Sequence, residues 1–87
     1  MIFQIIAQHD HATCGFVQHG KESMKKRGDW VEGSDKVKVL GAWGYQTSHR
    51  LFGIVESNTY EAVAEHFEYH LGRGPVEVLP VKDMVQP

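Results

Sequence analysis

Two stretches of the chain are apolar at both odd and even positions: Met1-Ile2-Phe3-Gln4-Ile5-Ile6-Ala7 and Leu51-Phe52-Gly53-Ile54-Val55. Both read as strands. Neighbours along a strand point to opposite faces, so Ile2 and Ile6 face one way and Phe3, Ile5 and Ala7 the other. A sheet that is apolar on both sides needs cover on both sides. The rest of the chain supplies two helical segments, enough for one face. The expected second cover is another copy of the same chain.

The remaining pattern fills in the elements. The first strand is expected over about Ile2 to His9, followed by a loop from Asp10 to Gly20. Met24, Arg27, Trp30 and Val31 recur at helical spacing and predict a helix over Lys21 to Val31, with Lys25 and Lys26 on its wet side. Val37 to Tyr45 reads as a second strand, interrupted by Lys38 and Gly41. The turn Gln46-Thr47-Ser48 and a third strand, His49 to Glu56, complete an antiparallel hairpin. Asn58 with Glu61 three residues on fits a capping box. The second helix then carries a stripe of Tyr60, Val63, Ala64, Phe67 and Leu71, and Gly72, Gly74 and Pro75 end it. Val76 to Val81 is the fourth strand.

This order is β-α-β-β-α-β, a single α+β domain over residues 1–87 with the ferredoxin-like arrangement. It implies a four-stranded antiparallel sheet with two helices on one face, and strands one and three at the centre. Strand two, with Lys38, and strand four, with Glu77 and Pro80, suit edges, where a missing N–H breaks no ladder. Two such sheets packed face to face at about 10 Å would form a dimeric α+β barrel. Each Ile, Val or Phe so buried would contribute about 1.5–3 kcal/mol. The plainer alternative is a modest exposed apolar patch on a monomer.

Composition narrows the classes. A chain of 87 residues buries little by itself, so association would help it. A hydrophobic fraction of 41% argues against disorder. Net charge is −2, which gives no field for nucleic acid, and the third strand has one aromatic where RNA-recognition modules want more. Nucleic-acid binding is therefore not expected. Cys14 is the single cysteine, so no intrachain disulfide can form, which suits a reducing compartment. No apolar run approaches the roughly 20 residues of a spanning helix, and no basic leader precedes the first strand pattern. The expectation is a cytoplasmic protein without membrane association.

Gly41-Ala42-Trp43-Gly44-Tyr45, Arg50-Leu51-Phe52-Gly53-Ile54-Val55-Glu56 and Val76-Glu77-Val78-Leu79-Pro80-Val81, together with the helix between the last two, resemble small ferredoxin-like domains of unknown function in the dimeric α+β barrel superfamily. The likeness covers roughly the last fifty residues. A second resemblance is to small nickel-binding ferredoxin-like proteins. These carry a histidine pair at the end of strand one and further histidines late in helix two. His9 and His11 match the first pair, spaced by Asp10 instead of adjacent, and His66 and His70 match the second.

Candidate chemistry centres on the six histidines. If the first strand ran through residue 11, His9 and His11 would share a side and could share a metal ion. Imidazole suits first-row metals such as nickel or zinc. Cys14 and His19 follow closely, and His70 joins the candidate set of His9, His11, Cys14 and His70 through the resemblance. The bland alternative is a polar loop whose histidines bond to backbone. His66 and His70, four apart on a helix, are also spaced for a metal, and a solvated helix shoulder is the favoured reading. Cys14 as a nucleophile, with His11 or His19 as its base, matches no cysteine-enzyme signature. The basic residues Lys21, Lys25, Lys26 and Arg27 are diluted by Glu22 and Asp29 and read as solvated surface. Gln4, Gln8, Trp43 and Tyr45 are candidates for a ligand-pocket wall or for contacts across a dimer.

Three function classes follow. The first is a homodimer that binds a metal ion or small molecule near the end of strand one. The second is an enzyme, by fold analogy with cofactor-independent monooxygenases and isomerases of the superfamily, with His9 or His49 as base. The third is a structural or regulatory dimer with no ligand.

Overall fold

The computed structural model describes residues 1–10, 12 and 29–86. Four strands, β1 (Ile2–Gln8), β2 (Val37–Tyr45), β3 (Arg50–Ser57) and β4 (Val76–Val81), form one antiparallel sheet in the order β2-β3-β1-β4. The two most apolar strands are central and the strands with Lys38 and Pro80 are edges, as their sequences predict. Two helical pieces, α1 (Tyr60–His66) and α2 (Glu68–Leu71), together occupy the span of the expected second helix. The result is an α+β fold compatible with the ferredoxin-like arrangement. Most of the expected first helix lies outside the described residues. Its end is a 3-10 turn, Asp29–Glu32, instead of an α-helix.

One face of the sheet is covered. Phe3, Ile5, Trp30, Val37, Val55, Val63 and Phe67 form the core, and Val39, Ala42, Leu51, Val76 and Val78 pack around it. Trp30 lies over Gly53 in the central strand. A Cβ there would stand 2.9 Å from the indole ring, so this close approach requires glycine. The Trp30 ring meets Phe67 at 5.2 Å between centres. The helical stripe is narrower than its spacing suggests. Val63 and Phe67 are buried, but Tyr60 and Leu71 are more than half exposed at 53% and 59%.

Local details differ from expectation at the ends. Strand one stops at Gln8, one residue early, and strand three starts at Arg50 and runs to Ser57. Ser57 is buried and its hydroxyl donates to the Lys36 carbonyl at 2.8 Å, so the last strand residue stays satisfied inside. The helix cap is Thr59, whose Oγ1 accepts from the Ala62 N–H, and not Asn58. Asn58 stands one residue too early for its side chain to serve the first helical turn.

A β-bulge at Leu40 decides which way the second strand's aromatics point. Val39 opposes Val55, but Gly41 opposes Ile54, leaving Leu40 extra. The inserted residue shifts the alternation by one. Val37 and Val39 therefore face the core, whereas Trp43 and Tyr45 face the other way, opposite Phe52 and Arg50.

Among the described residues nothing covers the second face. The register places Ile2, Gln4 and Ile6 of β1, Phe52 and Ile54 of β3, Trp43 and Tyr45 of β2, and Leu79 and Val81 of β4 together on it. Trp43, Tyr45, Leu79 and Val81 are 59%, 55%, 39% and 41% exposed, and the others are half-buried by their neighbours alone. Lys38, Glu56, Arg50, Gln8 and Glu77 form its polar rim. No helix among the described residues is long and apolar enough to cross a membrane.

Candidate functional site

Two of the candidate residues, His9 and His49, meet at one end of the sheet. There β1 finishes, β3 and β4 begin, and the chain leaves α2. The Gln8 N–H donates to the Pro75 carbonyl at 3.0 Å, and a Cβ at Gly74 would collide with the Gln8 carbonyl. Beyond the last residue of β1 the ladder makes one more bond, from the His9 N–H to the His49 carbonyl at 3.1 Å. This bond places two residues forty positions apart side by side.

His49 reaches that place through an unusual backbone. The turn Gln46–Ser48 is a 3-10 turn, and His49 ends it at φ 58° and ψ 43°, in the left-handed region. It is the one non-glycine residue with positive φ among those described. Histidine is among the residues enriched there, yet the conformation costs free energy unless its surroundings hold it. Two hydrogen bonds do so: its N–H donates to the Gln46 carbonyl at 3.1 Å, and its own carbonyl accepts from His9.

The two half-buried side chains meet. His9 Nε2 and His49 Nδ1 are 3.3 Å apart, with ring centres at 5.0 Å and planes inclined by 69°. Neutral imidazoles can share a proton at that distance, and two protonated rings would repel. Sequence spacing named each residue as a separate candidate base and gave no sign that they form a pair. The only signal was the predicted antiparallel ladder, which needed the register of β1 against β3 to become useful.

The other candidates separate from this pair. His11 and Cys14 lie outside the described residues. His70 is on α2, with both ring nitrogens shielded from solvent and its ring against Phe67 at 5.6 Å and Trp30 at 6.4 Å. Among the described residues no group of three or more His, Cys, Asp and Glu side chains converges as a metal cluster would. His66 and His70 do not form a solvated shoulder. Both are half-buried, and His66 Nε2 lies 2.8 Å from the Trp30 carbonyl, tying the helix to the 3-10 turn. The apolar burial of Trp30 draws that side of the helix inward.

Gln4, Gln8, Trp43 and Tyr45 all stand on the open face of the sheet. Gln8 Oε1 accepts from Arg50 Nε at 3.1 Å, which fixes it at the rim. Gln4 stays in the middle, opposite Ile54 on one side and Leu79 on the other. The Trp43 ring lies over Gly41, where a Cβ would meet it at 2.5 Å. On the helical side a polar groove of about 340 Å³ is lined by Ser34, Asp35, Lys36, Ala62, Glu65 and His66. None of its lining residues is His9 or His49.

No protein-family model matches the chain, and no curated protein matches it.

Proposed function

We propose that this is a homodimeric binding protein of the dimeric α+β barrel kind. Two copies close their open sheet faces on each other, and a metal ion or small molecule is held at the end of β1, around His9. The observation that carries the assembly is the open face, with eight apolar side chains spread over all four strands. A face of that extent is more than scattered surface hydrophobics supply. A second copy suits it better than a charged partner. The rim carries both signs, with Lys38 opposite Glu56 at one end and Arg50 and Glu77 at the other, so two copies meet without a single-sign field.

The binding role rests on the sheet end. A rigid ladder there presents two imidazoles to each other, and a left-handed residue is held in place to do so. Trp43, Tyr45 and Phe52 on the open face would also suit base stacking by single-stranded RNA. The face carries Glu56 and Glu77 as well as Lys38 and Arg50, and with a net charge of −2 it gives a phosphate backbone no cationic track, so the dimer is the better occupant.

The test is the solution mass of the untagged protein together with elemental analysis. Twice the 9.9 kDa chain mass is expected, with bound ligand or metal at up to one per chain. A 9.9 kDa species at all concentrations would refute the dimer.

A further inference from the structure

We infer that His9 and His49 are protein donors to a divalent first-row transition metal ion, bound between His9 Nε2 and His49 Nδ1. The inference rests on the binding role proposed above and takes His49, not His70, as the partner of His9. The spacing of the two imidazoles suits a shared ion. Two imidazoles on one tetrahedral ion, at about 2.0–2.1 Å each, hold their donor nitrogens about 3.3 Å apart and their ring centres about 5.2 Å apart. The nitrogens here are 3.3 Å apart and the centres 5.0 Å. The nitrogen separation matches that of two ligands on one ion, and the pair holds it as a hydrogen bond.

The backbone supports this reading. The His9 N–H to His49 carbonyl bond fixes the two Cα positions side by side, and the Gln46 carbonyl holds His49 in its left-handed conformation. A site already organised in this way loses little entropy on binding. The other histidines among the described residues are engaged in packing: His66 is at the Trp30 carbonyl, and His70 is enclosed by Trp30, Phe67 and Tyr69. Two donors from the described residues leave further positions of a tetrahedral ion open to other ligands.

The experiment uses full-length untagged protein stripped with a chelator and titrated with Zn²⁺ and Co²⁺. Calorimetry measures affinity, and the visible spectrum of Co²⁺ reports its coordination. The expected result is one ion per chain, with affinity at least tenfold weaker in either His9→Gln or His49→Gln. The double variant should be no weaker than the worse single, because the donors act as a unit. NMR of the parent provides a readout that does not depend on variants folding: Zn²⁺ should shift the imidazole nitrogen signals of His9 and His49 and leave that of His66 in place. Binding undiminished in His49→Gln, or Zn²⁺ shifts that bypass His49, would overturn the assignment while leaving a site around His9 open. Failure of the parent to bind either ion would also overturn it. The dimer is judged separately, by mass.

Discussion

Replacing Ile54 by glutamate tests the open face at its centre. Ile54 lies opposite Gln4 on one neighbouring strand and Gly41 on the other, with Ile2 and Ile6 on the diagonals. It is half-buried in the single chain. Closing a second sheet over it would bury the remainder, worth about 1 kcal/mol out of the 1.5–3 kcal/mol of a whole side chain. Glutamate would forfeit that and would also lose water around its carboxylate, at several kcal/mol per ion. A symmetric pair meets the change twice. Allowing the carboxylates to reorient or take up protons, a net loss of about 4 kcal/mol per dimer is a conservative figure, or roughly a thousandfold in the dissociation constant. In an isolated chain the same position faces water, and the cost is limited to strand preference, under about 1 kcal/mol. Sedimentation equilibrium over a range of concentrations distinguishes these cases. The parent should run as a dimer and Ile54→Glu as a monomer with an unchanged circular dichroism spectrum. Leu71→Glu, 59% exposed on the helical side, should leave the mass of the parent unaltered. If Ile54→Glu retains the parent's dimer mass, the face-to-face packing is refuted.

Other substitutions probe the fold and the site. Gly53→Val drives a side chain into the Trp30 ring, which a Cβ alone already approaches to 2.9 Å, and should destabilise the protein by about 1–3 kcal/mol in urea unfolding. Phe67→Ala empties a fully buried position between Trp30 and the sheet and should cost about 3–5 kcal/mol by the same assay. Thr59→Ala removes the side-chain cap on the Ala62 N–H and should lower stability by about 1 kcal/mol, whereas Asn58→Ala should change it little. His49→Gly keeps the left-handed turn without strain, so thermal stability should stay within about 1 kcal/mol of the parent while the pairing with His9 is lost. A large loss of stability in that variant would mean that the histidine pair itself holds the sheet end together.

The hydrophobic pattern determined the strands, their order from centre to edge and the existence of two apolar sheet faces. Those features follow from local alternation and from the composition of each strand, and β2 and β4 have the residue limits that their sequences predict. Pattern alone could not decide the facing of Trp43 and Tyr45. Simple alternation from Val37 would place them in the core, and the extra residue at Leu40 sends them to the open side. Nor could spacing along the helix show that His66 and His70 turn inward, because the indole of Trp30, thirty-six positions before His66, determines that. The pairing of His9 with His49 was equally hidden. It depends on the register between two strands and on a left-handed residue at a turn, and both are settled by hydrogen bonds between segments far apart in the chain. Side-chain periodicity is a property of neighbours in sequence. Register, bulges and the convergence of imidazoles are properties of neighbours in space, and only the packed sheet fixes them.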